Sequence, residues 1–170
     1  MRKVTTITAA MVALALGAGA AQAQIAPRSN APVDIAADQS DFLTQECRSI
    51  WKGDVEALQA RTRLRAQTLN VYAVKKGDEC GETDRLVAEG NVYYVEADRT
   101  VRADTAVYTA RAETITLTGN VVVVQGKSVA RAERVVINLQ TGQSQMFAGS
   151  KGRGSKNRVR GIFYPAGNPG

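Results

Sequence analysis

Apolar and polar residues alternate along most of residues 86–140, and the alternation is written twice. Residues 90–95 read GNVYYV and residues 119–124 read GNVVVV. Thirteen residues after each glycine stands an alanine, Ala103 or Ala132. Each alanine follows an arginine (Arg102, Arg131) and precedes an acid (Asp104, Glu133). A weaker copy lies upstream, where Gly53-Asp54-Val55 is followed at the same spacing by Arg65-Ala66. Six residues after each glycine comes Gln59, Glu96 or Gln125, and eighteen after comes Val71, Tyr108 or Ile137. The glycines are 37 and 29 residues apart, and the extra length falls in residues 76–83, which read as a hairpin-loop insertion. A repeat of this period implies one supersecondary unit stacked on copies of itself.

The unit reads as β structure. Val-Tyr-Tyr-Val and Val-Val-Val-Val are strand sequences. Residues 54–67 taken alone would suit a helix on propensity. Their register with the other two copies argues for strands instead. Short strands are expected near 33–36 and 42–43. Residues 113–124 read as one long strand interrupted by Gly119, through a bulge or a Gly-Asn turn. Turn residues gather at 75–78, 125–127 and 140–143. Further strands are expected at 143–148 and at 162–165, the last stopped by Pro165. No amphipathic helix of ten or more residues is legible after the leader. Short strands at this spacing point to an all-β sandwich, jelly roll or barrel.

Composition narrows the setting. Arg2 and Lys3, an apolar run over 7–20 and Ala21-Gln22-Ala23 form a secretory leader cut after Ala23. The run is shorter than a bilayer span. Cleavage leaves about 147 residues from Gln24 and takes the net charge from +6 to about +4. The chain then divides into the signal peptide 1–23, a flexible lead 24–33, one domain over 34–165 and a tail 166–170. In an exported protein the pair Cys47 and Cys80 reads as a disulfide, with two free thiols as the plainer alternative.

No catalytic constellation is present. The chain has no histidine, and no nucleophile elbow, P-loop or dinucleotide turn. Neither catalytic residues, a metal site nor a cofactor is expected. The recurrent Arg and acid positions read as cross-strand ion pairs on the solvent face. The basic stretch 151–160 reads as a solvated loop or as a contact for a phosphorylated ligand or membrane surface. No aromatic interleaving supports nucleic-acid binding. The β-branched runs at 119–124 and 134–137 must fill a core, or line a groove if the sheet stays open.

The segment GNVVVVQGKSVARAERVVI at 119–137 resembles the OstA-like family of lipopolysaccharide-transport bridge proteins, the family of LptA. The resemblance covers roughly residues 34–165 and is most specific over 86–148. It implies a twisted, open β-jellyroll of stacked antiparallel hairpins, without enzymatic activity. It implies a periplasmic protein that holds the acyl chains of lipid A in its interior. It further implies head-to-tail homo-oligomers through edge strands, between an LptC-like inner-membrane partner and an LptD-like outer-membrane partner. Carried onto this chain, the lining positions are Trp51, Val55, Ala57, Leu69, Val71, Leu86, Ala88, Val92, Tyr94, Ala106, Tyr108, Ile115, Leu117, Val121, Val123, Val135 and Ile137. The insertion at 76–83 and the glycine-rich basic stretch at 149–161 depart from the family pattern. Two other readings stand beside this one. One is a structural β-module that bridges envelope proteins without lipid. The other is a domain of the same fold in the anchored or outer-membrane partner, which the cleavable leader disfavours.

Overall fold

The computed structural model describes residues 25–26, 29, 31–149 and 157–164. The leader 1–23, Lys151, Arg153 and Lys156 of the basic stretch, Pro165 and the tail 166–170 lie outside the described residues.

The described residues form ten strands: β1 (Asp34–Ala36), β2 (Gln39–Leu43), β3 (Arg48–Gln59), β4 (Thr62–Lys76), β5 (Glu79–Glu96), β6 (Arg99–Thr109), β7 (Thr114–Gln125), β8 (Ser128–Asn138), β9 (Ser144–Phe147) and β10 (Arg160–Ile162). A short 3-10 turn at Thr44–Glu46 joins β2 to β3. All pairings are antiparallel, and β3 to β8 are joined by successive hairpins. Residues 54–67, the tempting helix, lie in the β3–β4 hairpin.

The repeat glycines make corners rather than hairpin turns. Gly53, Gly90 and Gly119 have φ near +80°, and Asp54, Asn91 and Asn120 after them are also left-handed. Each pair is a bulge, where the register slips between Lys52 and Val55, Glu89 and Val92, or Thr118 and Val121. Glycine takes this backbone without the steric cost of a Cβ, and Asn and Asp tolerate it best among the rest. Because the bulges align from strand to strand, the sheet folds along one line into two facing half-sheets. One half holds β1 and β10 at its edges; the other holds β2 and β9. Buried side chains of both halves meet in a single cluster. This is the twisted, open β-jellyroll.

A polar side chain from the adjacent edge or strand covers each corner. A Cβ on Gly53 would lie 2.8 Å from the Cβ of Asp38, and one on Gly119 would lie 2.8 Å from the Cβ of Asp104. Gln67 covers Gly90 in the same way. Asp104 also accepts a hydrogen bond from the Asn120 side chain at 3.0 Å. This corrects the reading of Asp104 and Glu133 as ion-pair partners of the recurrent arginines. Neither joins an ion pair among the described residues. The acid follows the alanine because that position faces the next corner.

Two further corrections concern length. Residues 76–83 are not a loop insertion. The chain turns at Gly77-Asp78, and the extra residues lengthen β4 and β5, with register irregularities between Tyr72 and Lys75. A disulfide joins Cys80 in this extension to Cys47, with Cα atoms 5.2 Å apart. The final strand is Arg160–Ile162 rather than 162–165, and Phe163 and Tyr164 run on beyond it, exposed. β9 and β10 are two parts of one edge strand along β8. Beyond β9, Gly149, thirty residues after Gly119, donates its N–H to the Asn157 carbonyl at 3.1 Å.

Gly119→Ala must force a left-handed alanine against Asp104, and is expected to cost on the order of 3 kcal/mol. Gly126→Ala, also left-handed but with open space around it, is expected to cost about 1 kcal/mol. Urea unfolding of the two variants checks the difference. Reducing Cys47–Cys80 reopens a loop of 33 residues, and the chain-entropy relation predicts a loss of about 3–4 kcal/mol. Urea midpoints with and without reductant measure it.

Candidate functional site

The interior between the half-sheets is the candidate site. Its lining follows from the corners. On β3, β5 and β7 three residues turn outward at the corner, so inward positions keep the same number parity on both sides. Leu117 and Val121 on β7 are an example. On β4, β6 and β8 only two residues turn outward, and parity flips. Ala103 and Ala106 on β6 show it.

The structure buries nearly every sequence-predicted lining residue. Val55, Ala57, Leu69, Leu86, Ala88, Val92 and Tyr94 are buried, as are Ala106, Tyr108, Ile115, Leu117, Val121, Val123, Val135 and Ile137. Trp51 and Val71 are half-buried and pack against this cluster. Sequence reasoning missed Leu64, Ala66, Val101, Ala103, Ala130 and Leu139, which are also buried. Most of these sit beyond the parity flip on β4, β6 and β8. The recurrent alanine thirteen residues after each glycine was the available signal: Ala66 and Ala103 are buried beside the corner.

A cavity of about 10 Å³ remains between the halves, lined by Leu64, Leu86, Ala88, Tyr94, Tyr108 and Ile25 among others. Ile25 belongs to none of the strands, yet is 1% exposed. Gln59 at the end of β3 is equally buried. Its Oε1 accepts the N–H groups of Ile25 at 2.6 Å and Ala26 at 2.8 Å, and its Nε2 donates to the Ala31 carbonyl at 2.8 Å. The Tyr94 hydroxyl donates to the Ile25 carbonyl at 3.1 Å and lies 3.4 Å from Glu96 Oε2. Glu96 is also held by Arg99. The sequence marks Gln59 as a repeat position but gives no sign that it is buried.

Burial pushes the Tyr94 phenol well above the ordinary tyrosine range, and the Glu96 carboxylate adds to this while Arg99 opposes it. On the rim, Asp41 is held below the usual carboxylate value by hydrogen bonds from Lys52 and Gln39.

On the outer face one row crosses the sheet through paired positions: Arg65, Tyr93, Arg102, Val122, Arg131 and Arg160. Arg102 stacks over Tyr93 at 5.7 Å. The edges are apolar in part. Phe42 on β2 and Ile162, Phe163 and Tyr164 at and beyond β10 are largely exposed. Among the described residues no group of His, Cys, Asp or Glu is placed to hold a metal ion.

Residues 34–143 match a family described as LptA/(LptD N-terminal domain) LPS transport protein. An uncharacterized protein of Rhizobium meliloti (strain 1021) is 24% identical over 122 residues, which cover 69% of this chain and 66% of that relative, just under two thirds of its length. The fold is similar to the crystal structure of LptH from Pseudomonas aeruginosa. That protein is described as the LptA-homologous periplasmic component of the lipopolysaccharide transport device. The likeness has a TM-score of 0.66 at 19% identity and covers 79% of this chain and 96% of that one.

Tyr94 gives a pH signature. The folded phenol stays neutral where an unfolded tyrosine, with a pKa of 10.0, ionises. Its raised folded pKa therefore leaves stability unchanged below about pH 10 and lowers it above, where only the unfolded chain loses the proton. Tyr94→Phe is expected to remove that part of the alkaline slope, measured by urea unfolding between pH 8 and 11.

Proposed function

The chain belongs to the LptA/LptD N-terminal-domain family of lipopolysaccharide-transport proteins, and on that footing we propose that it carries lipopolysaccharide across the periplasm with the lipid A acyl chains in its apolar interior. One observation carries the reading: apolar side chains from every long strand converge on a single interior whose turn-bearing margins are not joined by strand pairing among the described residues, although the Arg99 side chain reaches across to donate to the Ser144 hydroxyl at 3.0 Å. Acyl chains are the ligand class that such a lining suits, since each buried methylene contributes about 0.8 kcal/mol without needing a polar partner.

The edges support head-to-tail assembly. β1 and β2 leave one margin with unpaired backbone groups, and β9 and β10 leave the other. Exposed Phe42 at the first and Ile162, Phe163 and Tyr164 at the second give apolar anchors for strand addition. In this reading copies add to one another, an LptC-like protein takes one end and an LptD-like protein the other. The chain works in the periplasm after cleavage behind Ala23, with residues 34–165 as the working domain. It acts as a carrier, not as an enzyme.

A bridging module without lipid is favoured by one fact, the near-complete filling of the interior. Photoreactive residues separate the two readings. Placed at Val92 or Val121 in cells, they are expected to crosslink to lipopolysaccharide, while the outward neighbours Tyr93 and Val122 do so weakly. Crosslinks from the outward positions alone, or from none, would sink the carrier reading.

A further inference from the structure

The interior already has an occupant, and it is the chain's own N-terminal segment. We propose that Ile25 and Ala26 are a displaceable plug of the apolar groove, held by Gln59 and Tyr94 and expelled when an acyl chain enters. This rests on the carrier reading and deepens it.

The geometry is that of a peptide-binding site. Ile25 comes between the two halves, against Leu64 and Tyr94 from one and Leu86, Ala88 and Tyr108 from the other. It thus spans the gap that a ligand must use. Its backbone is read, not merely covered. The single amide of Gln59 engages both the N–H groups of residues 25 and 26 and the carbonyl of residue 31. Tyr94 takes the Ile25 carbonyl. A buried glutamine in an apolar groove is costly unless its groups are bonded, and the bonds to Ile25, Ala26 and Ala31 meet that need at both ends of the Gln59 amide. The corresponding repeat position is Gln125 on β7, which is exposed. Burial of this group is thus particular to the place where the segment docks.

The hold is also weak enough to be broken. Ile25 and Ala26 belong to no strand and β1 begins only at Asp34, so these two side chains can leave without unpairing one. A long acyl chain offers more apolar surface than those two side chains. Withdrawal frees the space and leaves Gln59 and Tyr94 as polar groups beside Glu96 and Arg99, at the margin where a polar headgroup would stay in water. A groove whose competent state is only partly populated binds with its affinity reduced by that fraction.

Amide hydrogen exchange of the intact mature chain tests this, with lipid A as the probe. The Ile25 and Ala26 amides are expected to be protected in the free protein and to exchange freely once lipid A is bound. Ile25→Asp, which cannot place its charge between the halves, is expected to bind lipid A on the order of tenfold more tightly. The exchange arm needs no variant, so poor folding of Ile25→Asp would not blunt the test. If lipid A crosslinks at Val92 while both amides stay protected, the plug is refuted and the carrier reading stands. If neither the intact chain nor the folded variant takes up lipid A, the carrier reading fails and the plug with it. Capture by the variant alone would support the plug in its strongest form.

Discussion

The structure depends on one backbone constraint, the left-handed Gly-Asn or Gly-Asp pair that recurs at the same level on β3, β5 and β7. The inserted residue bends these three strands sharply while the ladder resumes on both sides, and β4, β6 and β8 follow the bend without left-handed residues of their own. With the pairs aligned, a single sheet becomes two facing halves and its apolar faces find each other. Burial of those faces then supplies the main stabilising term. An acid or glutamine from the preceding stretch (Asp38 between β1 and β2, Gln67 on β4, Asp104 on β6) completes each corner by covering the glycine, so the sequence pattern of glycine and polar residue is one device seen at two points of the chain.

Much of this was legible, because a repeat reports on tertiary structure in a way that local propensity does not. Register with two Val-rich copies was enough to read Val55–Gln59 and Leu64–Ala66 as strands against their helical composition. Lining positions on β3, β5 and β7 were readable because number parity survives the corner there. On β4, β6 and β8 it does not, and Leu64, Val101 and Ala130 escaped for that reason. Other features had no local signal. Nothing near Gln59 announces that its partner lies more than thirty residues upstream. The arginine and acid beside each alanine suggested charge pairing, because opposite signs two apart in sequence share a face of a strand. The fold uses the acid for the corner instead.

The outer face sets a different balance. Arg131 stands directly opposite Arg160, and Arg102 and Arg65 continue the row with Tyr93 and Val122 between. Like charges facing across strands are unfavourable, and two strand spacings, about 9.5 Å, put successive arginines near the screening length of physiological salt. The repeat tolerates this because the arginines are exposed and because Tyr93 accepts the Arg102 guanidinium on its ring. The interior and the exterior thus follow from the same unit by opposite rules, one side excluding charge and the other lining it up.

The edge strands are both interrupted where the corners lie, at residues 37–38 between β1 and β2 and, among the described residues, at 148–149 and 157–159 between β9 and β10. These breaks act as phase marks. A strand added at either margin can pair with both halves only if its own corner arrives at the same level, since a slip of one residue would turn its inward side chains to the outside. Whatever continues the sheet must therefore carry the same fold line. A stack built in this way inherits a continuous crease, and with it a continuous interior, without any residue dedicated to alignment.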